Sequence, residues 1–134
     1  MSSWAMNGYL ANERNQRLGP KKSDGIRRLE LLANHLCGVK PEYFSLCAWK
    51  CGIVACAVGH ACQIPEFTEE GFCLVRFDVP SFSNELGWNA VRLFFGLSSE
   101  DASALFSSNS YHPNVTPSDV ATKIYVYIFS GELL

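Results

Sequence analysis

Charge is scarce in this chain. Only 18% of its 134 residues are Asp, Glu, Lys or Arg, against 48% apolar. That balance excludes a chain held open by its own charge and fits one globular domain. A run of about 18 or more uncharged apolar residues is also missing. The longest apolar stretch, near 51–64, is stopped by Pro65, so no membrane association is expected. The first residues carry no basic stretch leading into an apolar run, so a secretory signal is not expected. The chain is accordingly assigned to the cytoplasm, the host's if it is phage-encoded. There is no Cys-x-x-Cys knuckle, Gly-rich phosphate loop, His-Glu-x-x-His, Gly-x-Ser-x-Gly or EF-hand loop. Those absences remove the commonest metal, nucleotide and hydrolase signatures, and no cofactor is expected. No solenoid-length repeat or low-complexity tract occurs.

What is present is aromatic and thiol-rich. Nine Phe, five Tyr and three Trp supply bulk for a core. Six cysteines invite a disulfide framework, but a chain assigned to the cytosol keeps its thiols reduced. Four of the six crowd between 47 and 62 rather than spreading over loops. Charge is distributed unevenly. Residues 1–28 hold Arg14, Arg17, Lys21, Lys22, Arg27 and Arg28 against Glu13 and Asp24, a net +4. Residues 29–134 hold five basic groups against eleven acids, a net −6. A basic arm on an acidic body is the electrostatic outline, and the arm offers a nucleic-acid contact through residues 14–28.

Periodicity points to a mainly α chain with minor β content. The expected fold is a compact single-domain helical bundle over 26–134, preceded by an N-terminal basic extension, 1–25. A short helix around 5–17 is one reading of that extension. Ser23 or Asp24 is placed to cap a helix whose buried face is Leu29, Leu32, Ala33 and Leu36. Gly38 and Pro41 stop it. Residues 51–62, apolar all round, are expected to form a buried central helix. Residues 72–79 are the best strand candidate, or a hairpin, and Pro80–Asn84 reads as loop. Residues 87–95 return to helix, with Trp88, Val91, Phe94 and Phe95 inward and Gly96 as the stop. Ser98 with Asp101 is a capping-box variant. Thr116, Pro117 and Asp119 repeat the design for a last helix. Residues 124–129 carry both helix and strand composition.

Chemistry has three readings at Cys51–Cys62. As a metal site, Cys56 and His60 are an i, i+4 pair, but Cys51 and Cys56 would lie about 140° apart on a helix. As a nucleophile, Cys51 in the first turn of a buried helix would gain thiolate character. Its base would be His60 or His112. The Cys-Gly-x-x-x-Cys spacing resembles that around the nucleophile of cysteine peptidases that process ubiquitin-like proteins, though the Gln expected just before the Cys is missing. As packing, Cys, Ala, Val, Ile and Gly are residues most often enclosed, and this is the leading reading. The polar loop around Tyr111 and His112 is a candidate recognition surface.

Several segments together resemble a family of small uncharacterised proteins of bacteria and their phages. These are Arg28-Leu-x-x-Leu-Ala, Tyr43-Phe, Trp49-x-Cys-Gly-Ile-Val-Ala-Cys-Ala-Val-Gly-His-Ala, Ile64-Pro-Glu-Phe-x-x-x-Gly-Phe and Phe94-Phe-Gly-Leu-Ser-x-x-x-Ala-x-x-Leu-Phe. The likeness covers roughly residues 28–129, and the core pattern is Cys-Gly-x-x-x-Cys-Ala-x-Gly-His. The chain departs from it in its N-terminal extension and in Ile53, where Thr is expected. The resemblance implies a largely helical cytosolic protein with no activity to transfer. The expected role is a non-enzymatic binder of a host protein or nucleoprotein complex, such as an inhibitor of a CRISPR-Cas defence system.

Overall fold

A computed structural model describes residues 22–52 and 54–130. Helix α1 spans Lys22–Leu36. Ser23 and Asp24 therefore sit inside its first turn rather than before it, and the helix starts within the segment read as extension. Leu29, Leu32, Ala33 and Leu36 are fully buried, as their spacing requires. After a 3₁₀ turn at Pro41–Tyr43 come two short strands, β1 (Lys50–Cys51) and β2 (Val54–Ala55), paired antiparallel. Helices α2 (Ala57–Ala61) and α3 (Pro65–Glu69) follow. A three-stranded antiparallel sheet is ordered β3 (Cys73–Val75), β4 (Val79–Phe82), β5 (Glu85–Leu86). The chain closes with α4 (Trp88–Phe95), α5 (Ser99–Phe106) and α6 (Pro117–Ser130).

The result is a mixed α+β fold with helices dominant and two small sheets among the described residues. The continuous central helix expected over 51–62 is not formed. Gly52, at φ +64, turns the chain between Cys51 and Val54, which pair across β1 and β2. Gly52 suits a turn and β-branched Val54 suits a strand better than either suits a helix interior. Only Ala57–Ala61 is helical, with Cys56 as its N-cap. Pro80–Phe82, read as loop, belongs to β4, and the reversal falls at Ser83 and Asn84 instead. The ambiguous 124–129 segment is helix.

The core is a phenylalanine cluster. Phe72 stacks on Phe94 at 4.2 Å, and Phe67 meets Phe94 edge-on at 4.8 Å. Helix α1 lies along α6 on one side and crosses α4 on the other. Gly25 makes that crossing close: a Cβ there would lie 2.2 Å from the Phe95 carbonyl oxygen. The Thr116 capping box forms in full, and Ser98 caps α5 with one half of its box. The Asp101 N–H donates to Ser98 Oγ at 3.1 Å. Thr116 and Asp119 exchange bonds, at 2.9 Å into the Asp119 carboxylate and 3.2 Å into Thr116 Oγ1. This packing brings the 46–50 segment, the turn after β3, the start of α4 and the end of α5 to one face.

Candidate functional site: an aromatic groove

The thiol segment does not gather a site. Cys47 and Cys51 are exposed, and Cys56 and Cys62 are buried. Cys51 lies on a two-residue strand, so the helix-terminus basis for a thiolate there is gone. Cys56 Sγ accepts from the Gly59 N–H at 3.4 Å, and burial raises its pKa above the ordinary thiol value. Burial does the same to Cys62, with the neighbouring thiols Cys56 and Cys73 adding to the effect. His60 is 9% exposed, bonds the Tyr43 carbonyl through Nε2 at 2.8 Å, and stacks beside Phe44. That pairing ties α2 to the 3₁₀ turn. Among the described residues no three His, Cys, Asp or Glu side chains are grouped to hold a metal ion.

The basic arm is divided. Arg14, Arg17 and Lys21 lie outside the described residues, as does the 5–17 helix. Lys22 opens α1. Arg28 points inward, 8% exposed. Its Nη1 donates to the Phe94 carbonyl at 2.7 Å and its Nε to Glu70 at 3.1 Å. Its guanidinium lies 4.3 Å from the centre of the Phe94 ring. Arg27 pairs with the other Glu70 oxygen at 3.0 Å. These two cations serve the fold: the last carbonyls of α4 have no partner within the helix, and Arg28 supplies one. In the 107–115 loop Tyr111 is turned in as well. Its hydroxyl donates to the Leu105 carbonyl at 2.7 Å, Lys123 sits 4.6 Å over its ring, and burial raises its pKa. His112 stays exposed, 3.8 Å from the Asp119 carboxylate.

The concave feature borders the thiol segment, whose Cys47 and Cys56 are part of its lining. A cleft of about 440 Å³ opens between the 46–50 segment, the turn after β3, the start of α4 and the end of α5. Trp49, Phe77, Trp88 and Phe106 supply its aromatic lining, and Lys50 and Asp78 its charges. Trp49 and Trp88 meet edge-on at 5.1 Å. A second pocket of about 290 Å³ shares Trp88 and Ser107 with the first and continues to Arg92, Ser99 and Ser103. Phe77 is 87% exposed. It and Asp78 adopt φ +66 and +57, left-handed values that glycine or asparagine normally supplies. Holding two such residues side by side costs on the order of 2 kcal/mol. Val75, Leu86 and Trp88 are further large apolar side chains left exposed on the β3–β5 sheet and the start of α4.

The sequence reading missed this face. It placed Phe77 inside a strand and Trp88 on the inner side of its helix, yet Trp88 is 40% exposed. Arg92 was not singled out. The available signal was Arg76-Phe77-Asp78 interrupting the apolar run Leu74–Val79. No protein-family model, curated protein or solved structure matches this chain.

Proposed function

We propose that this chain is a small non-enzymatic binding protein, encoded by a phage or mobile element. It acts by stoichiometric association with a host protein complex, with interference in a bacterial defence system such as CRISPR-Cas as its purpose. The docking surface is the Phe77–Trp88 groove. One observation carries the placement: a phenylalanine almost wholly in water, at the tip of the turn that joins β3 to β4 and beside the cleft. Exposed aromatic anchors beside a cleft are the usual centre of a protein interface. An acidic body supports a basic partner, because complementary charge raises the association rate and makes it sensitive to salt. The contact is therefore made by the surface, and the buried thiols Cys56 and Cys62 serve packing.

Immobilised full-length chain incubated with bacterial lysate is expected to retain a specific partner at low salt and to release it as salt is raised. Phe77→Asp is expected to cut retention at least about tenfold, with the circular dichroism spectrum unchanged, as for an interface anchor. Equal retention by wild type and Phe77→Asp, or no specific partner at any salt, would contradict the proposal.

A further inference from the structure

We infer that in the free chain the groove is covered by a second copy of the same chain. The two copies form a two-fold dimer. Phe77 of each enters the cleft of the other, and Asp78 of each meets Lys50 of the other. This goes beyond the docking reading above, because it makes the second copy a competitor for the same surface.

Shape carries the first half of the inference. A two-fold interface needs one surface that bears both a projection and the hollow that takes it. This face bears both. Phe77 stands almost wholly in water on the turn between β3 and β4, beside the cleft. Trp49, Trp88 and Phe106 wall the cleft, whose volume is about 440 Å³. A cavity of about 150 Å³ holds a benzene ring, so a phenylalanine side chain has room here. The projection is firmly mounted. The β3–β4 ladder runs up to Val75 and Val79, the two residues that flank the turn. Capturing a side chain held in this way loses little conformational freedom. Val75 and Trp88 are exposed as well and widen the apolar contact.

Charge carries the second half and decides between occupants. Lys50 and Asp78 line the same cleft. Among the described residues neither is in an ion pair. A purely basic occupant satisfies Asp78 and is repelled by Lys50. A purely acidic one does the reverse. A second copy turned by the two-fold brings one charge of each sign in the opposite order, so both cleft charges gain a partner. The overall charge does not oppose this. Each chain carries a net −2, and repulsion between two such chains is screened beyond about 8 Å at physiological ionic strength. One ring and one ion pair from each side make a small interface. The dimer is therefore expected to be weak, with a Kd on the order of 10 µM. A weak dimer leaves the groove open to a host partner that binds more tightly.

The test is sedimentation equilibrium of the full chain, thiols kept reduced, from about 1 to 300 µM, a range that brackets the expected Kd. Wild type is expected to pass from monomer to dimer, and Phe77→Asp to stay monomeric. Lys50→Asp and Asp78→Lys each set like charges opposite one another. Each alone is expected to weaken the dimer at least about tenfold. An equimolar mixture of the two is expected to associate like wild type, because each supplies the charge the other lacks. Asp78 sits at φ +57, where lysine is strained and asparagine is tolerated. Asp78→Asn therefore serves if Asp78→Lys melts below wild type, and it is expected to weaken the dimer about threefold, the scale of one exposed ion pair. Monomeric wild type at every concentration overturns the inference. So does a dimer that survives Phe77→Asp, or a mixture of properly folded variants that associates no better than its parts. So does an Asp78→Asn protein that dimerises like wild type. Lysate capture by a chain that never dimerises removes the inference and leaves the docking reading. Dimerisation as expected with no capture at any salt supports the inference and removes the docking reading.

Discussion

Arg28→Met is expected to lower the stability of the chain by about 3 kcal/mol, the scale for removing one partner of a buried ion pair. The side chain closes α4 by donating to the Phe94 carbonyl, holds Glu70 on the segment after α3, and covers the Phe94 ring. Methionine keeps the volume and removes every one of these bonds. Glu70 is one-third exposed and recovers some hydration when its partner goes, so the loss is not the largest a buried pair can give. Arg27→Met is the internal control. Arg27 reaches the same carboxylate from a half-exposed position, and its loss is expected to cost under about 0.5 kcal/mol. Urea unfolding midpoints of the two variants separate the cases. Equal losses would mean that the Phe94 carbonyl bond contributes little.

Gly59→Ala is expected to be at least as damaging, at about 3 kcal/mol or more, in the upper part of the range for overpacking. A Cβ at Gly59 would stand 1.9 Å from the Trp49 carbonyl oxygen and 2.8 Å from Ala55 Cβ. The oxygen is backbone, and it accepts the Cys56 N–H at 3.2 Å, so relief requires moving the β1–β2 hairpin off α2. Trp49 would move with it and open the groove. Gly38→Ala is the matched control, because its Cβ would meet only the His35 carbonyl, at 3.7 Å. That change is expected to stay within about 0.5 kcal/mol of wild type. Thermal unfolding of both variants is the measurement, and a Gly59→Ala protein that melts with wild type would refute the close approach of hairpin and helix.

These two residues also mark what could be read from the chain and what could not. The buried face of α1 and the caps at Ser98 and Thr116 obey rules that act within four residues, and they were legible. Residues 51–62 were not. An all-apolar stretch has no period to distinguish helix from strand, and the deciding fact is a clearance between Gly59 and Trp49 set by tertiary packing. Arg28 read as part of a basic arm offered to nucleic acid because its partners, Glu70 and Phe94, are 42 and 66 residues away. Phe77 read as a strand residue because left-handed turns are sought at glycine and asparagine. The groove itself was invisible, since its walls come from segments far apart in the chain.

The claim on which the functional reading depends is that contact is made by the aromatic groove through Phe77 and not by a reactive thiol at Cys51. Capture from lysate by three baits, run side by side, tests it: wild type, Cys51→Ser and Phe77→Asp, each quantified by mass spectrometry of the retained partner. Full retention by Cys51→Ser with loss in Phe77→Asp is expected. Loss in Cys51→Ser with full retention by Phe77→Asp would contradict it.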